Sequence, residues 1–396
     1  MTSGPETMRG SGSPPPLRVA INATSLARGG GLTGLLGYLE GWRAIDSQLE
    51  ISVFASRTEV LEALRLRHDN VEVVPFAEGL GSARRLTLQR VSLGREIAHS
   101  GAQVLLTPNF LVPRCPLPQV VHHRNLKHFE VSSPFERLQT GLLRELARDR
   151  AARRAVRRAN MNVFVSEFLK DSAEQLTGLD PERNHVVHNG LPETLIEEAS
   201  QPDTQTRKGG RLFSITSPAK HKDNPTLLRV LQVLVRDHPD VDWSLRIAGA
   251  GPWERQRRLA GALGIRDRVR FLGFLTQAQL GVELRRARCA LFTSRLESFG
   301  NGPLEAMAFR CPVVAARTSA VPEVVGDAGI LVPPGEAETF RDAVVQIAPR
   351  SDVAHELQTR GAARVKAFRW SDSARRMEGY LRLAKSENEQ TSHRTP

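Results

Sequence analysis

The feature that most constrains the fold is a regular alternation of short apolar runs with longer amphipathic stretches along nearly the whole chain. Short apolar runs are typical of strands buried on both faces, and the amphipathic stretches are typical of the helices that connect parallel strands. The predicted strands of a first series are Leu17–Asn22, Ile51–Ala55, Val71–Val74, Val104–Leu106, Gln119–His122, Met161–Val165 and Val186–His188. Those of a second series are Leu212–Ile215, Ser244–Ile247, Val269–Leu272, Cys289–Thr293, Val313–Ala316 and Ile330–Val332. The pattern therefore predicts an α/β protein with two doubly wound parallel sheets.

A polar stretch between the two series, within residues 196–210, predicts a boundary between two domains. The predicted segments are a disordered tail at 1–16, a first domain at 17–195, a linker at 196–210, a second domain at 211–370, a helix at 371–386 that packs back toward the first domain, and a tail at 387–396. Open parallel sheets bind ligands beyond the carboxyl ends of their strands. We therefore expect the two domains to face each other across a ligand-binding cleft.

The composition is that of a globular chain, with 40% apolar and 25% charged residues in 396. No apolar run is long enough for a transmembrane helix or a signal peptide, so we expect a cytoplasmic protein. The net charge is +12, and 48 of the 55 basic residues are arginine. This charge predicts anionic partners such as nucleic acid, anionic lipid or phosphate-bearing substrates, or else reflects coding bias. The cysteines Cys115, Cys289 and Cys311 are too few and too scattered for a metal cluster or a disulfide framework.

A glycine-rich segment at 27–42 follows the first predicted strand and leads into an apolar helix. Gly29, Gly31 and Gly34 match G-x-G-x-x-G, in which glycines let backbone amides approach a phosphate at a helix N-terminus. However, six residues separate the strand from Gly29, and the second strand ends without an acid that could hold a ribose. The segment therefore favours a phosphate-binding loop over a nicotinamide dinucleotide site.

The most informative segment is 289–329, which has the pattern strand, loop, helix, strand. Glu297 lies in the loop and Glu305 on the helix, and the loop Phe299–Gly302 ends at the helix N-terminus. Such a terminus offers free amides to an anion, and carboxylates can accept two hydrogen bonds from paired hydroxyls. Sugar diols and a phosphate are the ligand that this arrangement predicts.

This segment resembles the E-x7-E region of the retaining glycosyltransferases of family 4, which have two facing Rossmann-like domains, the GT-B architecture. The other stretches that resemble this family are the glycine-rich loop and residues 186–190, 221–228, 246–252, 269–275 and 368–374. The similarity covers nearly the whole chain, is strongest from residue 186 onward, and is weakest between 56 and 160.

The resemblance implies a role for each matching residue. Glu305 would accept both ribose hydroxyls of the nucleotide, and Glu297 would contact hydroxyls of the donor sugar beside the amides of Phe299 and Gly300. Lys222 would neutralise the charge that develops on the leaving diphosphate.

The resemblance also implies a diphosphate site that both domains form. The amides of Asn301 and Gly302 would bind the diphosphate together with Gly30 or Gly31 from the first domain.

The chain departs from the family pattern at two places. Where the family has an arginine early in the second domain, this chain has Ser217, so that either Lys220 or His221 supplies the charge or the site is simply weaker. At the end of a first-domain strand, where the family often has a histidine followed by Asp or Asn, this chain has His122 and His123 followed by Arg124 and Asn125. Either histidine could face the donor sugar, and a neutral structural histidine is the alternative. We favour His122 because it directly ends the apolar run.

The resulting hypothesis is a retaining, metal-independent glycosyltransferase that moves a hexose-type sugar from a nucleotide diphosphate sugar to a hydroxyl acceptor. It predicts no cofactor and no nucleic acid partner, and a role in cell-envelope polysaccharide biosynthesis. The pair Asp240 and Asp242 matches a D-x-D metal motif but is predicted to lie in a solvated loop. The alternatives are a nucleotide-sugar epimerase or glycogen-type synthase of the same fold, and a non-catalytic basic protein that binds nucleotides or nucleic acid.

An arginine-rich stretch lies within a predicted helix at 133–160. Between Arg144 and Arg158 it carries seven arginines against two acids. It is either a solvated helix face or a surface that docks on anionic lipid at the inner face of the membrane, where a lipid-linked acceptor would lie. In the second interpretation the contact residues are Arg153, Arg154, Arg157 and Arg158.

Overall fold

A computed structural model describes residues 16–26, 29–66, 71–125, 142–178, 181–201, 207, 209–348 and 350–394. These residues fold into two α/β domains, each built on one parallel sheet. Residues 1–15 of the predicted tail at 1–16 lie outside the described residues. Within the described ranges, no helix is long and apolar enough to cross a membrane.

The first domain contains a seven-stranded parallel sheet with the order β3-β2-β1-β4-β5-β6-β7. Its strands are β1 Leu17–Asn22, β2 Leu49–Ala55, β3 Val71–Pro75, β4 Val104–Thr107, β5 Gln119–His123, β6 Met161–Phe164 and β7 Asn184–Val186. Its helices are α1 Gly30–Ala44, α2 Thr58–Arg65, α3 Ser82–Val91, α4 Leu93–His99, α5 Leu142–Arg158 and α6 Glu167–Thr177.

The second domain contains a six-stranded parallel sheet with the order β10-β9-β8-β11-β12-β13. Its strands are β8 Arg211–Ile215, β9 Ser244–Ala248, β10 Val269–Gly273, β11 Cys289–Phe292, β12 Val313–Ala316 and β13 Ile330–Val332. The remaining helices are α7 Glu193–Ser200, α8 Asn224–Asp237, α9 Glu254–Ala262, α10 Gln277–Arg286, α11 Asn301–Ala308, α12 Val321–Val325, α13 Ala337–Gln346, α14 Asp352–Arg364 and α15 Trp370–Arg394.

The predicted fold class of two doubly wound parallel sheets is confirmed, and each predicted strand is present. The largest shift is in β7, which starts at Asn184 rather than at Val186. Asn184 is buried, donates to Glu174 Oε1 at 3.0 Å and accepts from Asn162 Nδ2 at 3.2 Å. Because Asn184 is polar, a pattern of apolar runs does not include it, and its burial is made possible by these bonds to Glu174 and Asn162.

The strand order reverses between β1 and β4 in the first sheet and between β8 and β11 in the second. At such a switch point the connections on either side leave in opposite directions and open a crevice beyond the strand carboxyl ends. The segments that follow these four strands line one cleft between the domains. Both crevices therefore border the same space between the domains.

The boundary between the domains differs from the prediction. Helix α7 spans 193–200, so the linker does not begin at 196, and the helix packs on α10 and α11 of the second domain. Leu195 belongs to a core cluster with Leu284 and Phe309. Residues after β7 therefore already pack with the second domain.

Helix α15 returns to the first domain and packs along α1. The two helices approach closely at Gly37 and Gly41, where an added Cβ would collide with the ring and the carbonyl of Trp370. Trp42 Nε1 donates to the carbonyl of Ala374 at 3.0 Å. The helix also runs to Arg394 instead of ending at 386, because residues 387–394 contain neither a glycine nor a proline that would end it.

A second connection between the domains is made by Glu323 of α12. Its carboxylate accepts from the amides of Glu167 at 2.8 Å and Phe168 at 3.3 Å, at the N-terminus of α6, and from His188 Nε2 at 2.6 Å. Burial opposes ionisation, but these donors hold the pKa of Glu323 below its ordinary value. A carboxylate at a helix N-terminus is favourable because it meets unpaired amides and the positive end of the helix dipole.

We predict that Gly41→Ala destabilises the protein by about 1–3 kcal/mol, because the new methyl group would force α15 away from α1. The matched control is Gly379→Ala, on an exposed face of α15 with no atom within 4 Å of the added Cβ. There the helix propensity of alanine should leave stability unchanged or raise it by up to about 1 kcal/mol. Thermal unfolding of the two variants tests the packing, and equal midpoints would contradict it.

Candidate active site

The cleft between the domains has a volume of about 960 Å³. Ten of the predicted site residues line it: Gly30, Gly31, Ser217, Lys222, Glu297, Phe299, Gly300, Asn301, Gly302 and Glu305. The other two predicted residues, His122 and Lys220, do not line it.

Lys222 and Glu297 form an ion pair in the cleft, with Lys222 Nζ donating to Glu297 Oε1 at 2.6 Å. Both side chains are about one-fifth exposed, at 23% and 20%. The pair is therefore partly desolvated, which strengthens its attraction, and it keeps a cation and an anion together where a ligand could reach both.

Hydrogen bonds within the β8 loop and between the β8 and β11 loops hold this pair in place. Thr293 Oγ1 donates to the carbonyls of Lys222 and Asp223 at 3.1 Å. Arg295 Nε donates to Asp223 Oδ2 at 2.8 Å, and Asn224 Nδ2 donates to the carbonyl of Ser217 at 2.7 Å. Asp223 itself takes a left-handed conformation with φ 46° as the chain turns into α8.

The N-terminus of α11 faces the cleft. Gly300 has φ 118°, a conformation that favours glycine, and the helix begins at the next residue. Phe299 is buried and anchors the loop against His188 and Phe368. At Gly302 an added Cβ would lie 2.6 Å from the Phe292 ring. The loop can thus present backbone amides to an anion in the cleft.

Glu305 lies one turn further along α11 and also faces the cleft. Burial raises its pKa to about 7. No described residue forms a hydrogen bond with its carboxylate, although its backbone carbonyl is bonded within the helix end. An enclosed acid without a protein partner is costly to ionise and can be stabilised by a ligand that donates hydrogen bonds.

On the opposite wall, the glycine-rich loop begins α1 and is braced by Arg124. Gly29 has φ 115°, and Arg124 Nη2 donates to the carbonyl of Gly30 at 3.2 Å. The guanidinium crosses α1 at Gly34, where a Cβ would collide with it. Arg124 Nη1 is buried and has no partner among the described residues.

The prediction that favoured His122 over His123 is wrong about which ring faces the cleft. Strand β5 continues to His123, whose ring lines the cleft and whose Nε2 donates to Asn162 Oδ1 at 2.9 Å. Successive side chains of a strand point to opposite faces, and His122 packs on Tyr38 behind the sheet. Burial lowers the pKa of His123 to about 4, despite the opposing bond to Asn162, so the ring facing the cleft is neutral at pH 7.

The expectation that Lys220 or His221 replaces the arginine missing at Ser217 is also not met. Lys220 is exposed, and neither residue lines the cleft, because the short turn they share with Lys222 directs only the third of them inward. The cations in the described cleft lining are Lys222 and Arg124. Arg124 was missed as a residue of the cleft because its sequence neighbours give no sign of its approach to α1.

Asp240 and Asp242 do not line the cleft, and the Asp242 side chain is 99% exposed and pairs with Arg268 at 3.1 Å. Across the described residues, no group of three or more His, Cys, Asp or Glu side chains could hold a metal ion. The exposure of Asp242 agrees with the prediction that the D-x-D pair lies in a solvated loop.

The arginine-rich helix corresponds to α5, and the start of the predicted stretch, up to residue 141, lies outside the described residues. Arg153 is not free for lipid, because its guanidinium donates to the carbonyl of Leu176. Arg154, Arg157 and Arg158 are exposed.

Residues 211–349 match the family model "Glycosyl transferases group 1". The chain is 34% identical over 105 residues to O-antigen chain mannosyltransferase B of Escherichia coli, which covers 26% of the chain and 27% of that protein. It is 30% identical over 224 residues to D-inositol 3-phosphate glycosyltransferase of Mycobacteroides abscessus, covering 52% of the chain and 48% of that protein. The matched regions thus span half or less of these two relatives.

Solved structures match over nearly the full length. Sucrose-phosphate synthase from Thermosynechococcus elongatus superposes with a TM-score of 0.74 at 17% identity, covering 94% of this chain and 100% of that one. Anabaena Alr3699/HepE in complex with UDP and glucose superposes with a TM-score of 0.68 at 18% identity, covering 92% and 99%. The chain therefore has the two-domain GT-B fold of these proteins, and its second domain is similar to the group 1 glycosyl transferases.

Proposed function

We propose that this protein is a retaining, metal-independent glycosyltransferase that moves a hexose-type sugar from a nucleotide diphosphate sugar to a hydroxyl acceptor. The observation that carries the proposal is the combination at one cleft of the unpaired Glu305 carboxylate, the N-terminus of α11 and the ion pair of Lys222 with Glu297. These groups match the diol, the phosphates and the reacting sugar of such a donor. The match of residues 211–349 to glycosyl transferases supports transfer over epimerisation.

The donor would bind mainly to the second domain. Glu305 would accept the two ribose hydroxyls, and the loop amides of Gly300–Gly302 would bind the diphosphate. Arg124 brings a guanidinium with an unpaired Nη1 to the same cleft from the first domain. It would supply the charge that the family pattern places at Ser217.

The transfer would break the bond between the anomeric carbon and the diphosphate oxygen while the acceptor oxygen bonds to the same carbon. Lys222 would stabilise the negative charge that grows on the leaving diphosphate, and that diphosphate would take the acceptor proton. Ligand binding would separate Lys222 from Glu297, which would then accept hydroxyls of the donor sugar. His123, neutral at pH 7, would complete the sugar site from the first domain.

We infer attack from the same face of the sugar, with retention of configuration. The acids in the described cleft lining are Glu297 and Glu305, both on the second domain. The first-domain wall offers histidine, arginine and amide groups there instead of a carboxylate nucleophile.

An acceptor from cell-envelope polysaccharide biosynthesis fits the relative named as an O-antigen mannosyltransferase. Such an enzyme would work in the cytoplasm or at the inner face of the membrane.

We predict that Glu305→Ala weakens binding of the free nucleoside diphosphate about 10- to 100-fold, the loss expected for hydrogen bonds to a charged group. Glu297→Ala should leave this binding nearly unchanged and instead reduce turnover and discrimination between sugars. A thermal-shift screen with UDP, GDP, ADP and TDP identifies the nucleotide, since a ligand at 100 times its Kd stabilises by about 2.7 kcal/mol. Calorimetry then compares the two variants, and equal losses would refute these separate roles.

We further predict that nucleotide affinity depends on pH through Glu305. Because its pKa is about 7 and the ionised form accepts the ribose hydroxyls, affinity should fall about tenfold between pH 8 and pH 6. The diphosphate also titrates in this range, so the comparison is with Glu305→Gln, which keeps the shape but not the charge. The Kd of Glu305→Gln divided by the Kd of the wild type should fall as the pH is lowered. A constant ratio would show that the ionised carboxylate is not the binding form.

We predict that activity persists in EDTA, because Lys222, Arg124 and the loop amides provide the positive charge that a metal ion supplies elsewhere. The product should keep the anomeric configuration of the donor, which proton NMR of the first turnovers reports. Loss of activity in EDTA that an added divalent cation restores would contradict metal independence. An inverted product would contradict the retaining mechanism.

A further inference from the structure

We propose that the first domain binds a phosphate group of the acceptor in a groove between α3 and α5. The groove has a volume of about 600 Å³ and is lined by α3, α5 and the segment 110–114 that follows β4. This inference rests on the proposed function, since it specifies the chemical class of the acceptor.

The groove adjoins the donor cleft. Phe110 and Leu111 line both cavities. A molecule whose phosphate lies in the groove could therefore extend past these residues toward the cleft. This position suits the acceptor better than the donor, whose phosphates would bind at the start of α11 in the proposed function.

Three elements direct positive charge into the groove. Arg90 comes from α3, Arg114 from the segment after β4, and Arg150, Arg154 and Arg158 from α5. The spacing of four residues places the α5 arginines on one helix face, and Ala151 and Ala155 between them leave room for a ligand. No described lining residue of the groove is acidic.

These arginines have no carboxylate partner among the described residues, and each is exposed. Partial desolvation of its guanidinium, followed by repulsion from Arg154 and Arg114, lowers the pKa of Arg158. An anion bound among these arginines would offset the repulsion between their charges. Guanidinium groups bind phosphate oxygens in pairs, so a phosphate can be shared by several arginines.

Gln89 provides an independent sign of a ligand. It lies on α3, lines the groove and is only 7% exposed, yet neither its Nε2 nor its Oε1 has a hydrogen-bond partner in the described structure. Buried amides are rarely left unsatisfied because this costs free energy. A phosphate ester of a sugar or polyol offers oxygens to Nε2 and a hydroxyl to Oε1.

The test uses the full-length protein saturated with the nucleoside diphosphate that it binds best. Inorganic phosphate and glucose 6-phosphate are the probes, glucose is the uncharged control, and calorimetry gives each Kd. We expect the two phosphates to bind and glucose to bind much more weakly. Arg154→Gln and Arg158→Gln should each weaken phosphate binding about tenfold, and Gln89→Leu should weaken it by a smaller factor.

The matched control is Arg157→Gln, which removes the same charge from a neighbouring exposed position that does not line the groove. It should leave phosphate binding unchanged, and all four variants should keep the wild-type affinity for the nucleotide. Equal losses in Arg157→Gln and Arg158→Gln would overturn the proposal, because general surface charge would then explain the binding.

Sedimentation with vesicles of phosphatidylglycerol and phosphatidylcholine distinguishes a lipid surface from a bound phosphate ester. Vesicle binding that depends equally on Arg157 and Arg158, with no binding of either soluble phosphate, would overturn the groove and indicate a membrane contact. If no nucleotide binds, the proposed function fails. In that case, the same titrations with phosphate, glucose 6-phosphate and glucose on the ligand-free protein test phosphate binding in the groove independently.

Discussion

The arrangement of the site depends on the reversal of strand order within each sheet. Because all strands of a sheet are parallel, the loops that follow their carboxyl ends leave from the same edge of the sheet. A reversal of strand order opens a crevice at that edge. In this protein the reversals at β1/β4 and β8/β11 open toward each other. Residues as distant in sequence as Gly30 and Glu305 consequently face the same space without any contact between their own strands.

Polar contacts join the two domains beside that space. Ser166 caps α6 through its hydroxyl oxygen and also donates to the carbonyl of Ser298, next to Glu297 and the α11 loop. Glu323 binds the same helix N-terminus from the second domain. The loop that would hold the donor is therefore attached directly to the first domain. The position of that loop is sensitive to how the domains are oriented.

Much of the fold could be predicted from the sequence because buried parallel strands are continuous apolar runs. Strands β12 and β13 have the predicted bounds, and the loop and helix that follow β11 place Glu297 and Glu305 in the cleft as expected. The errors arise where distant contacts decide the outcome. Strand β5 extends one residue beyond the predicted end, to His123, and this residue rather than His122 lies at the cleft. The positions of Arg124 in the cleft and of Gln89 in the groove depend on neighbours that local patterns do not reveal.

The return of α15 to α1 has a consequence for the order in which the protein can be assembled. During synthesis the first domain leaves the ribosome before the helix that covers Trp42 and the glycine face of α1 has been made. Helix α15 cannot cover that surface until the second domain has been translated. The first domain is therefore incomplete as a cotranslational unit, and its final packing step joins it to a segment made more than three hundred residues later. Chaperones that shield apolar surface would act on this face of the nascent chain.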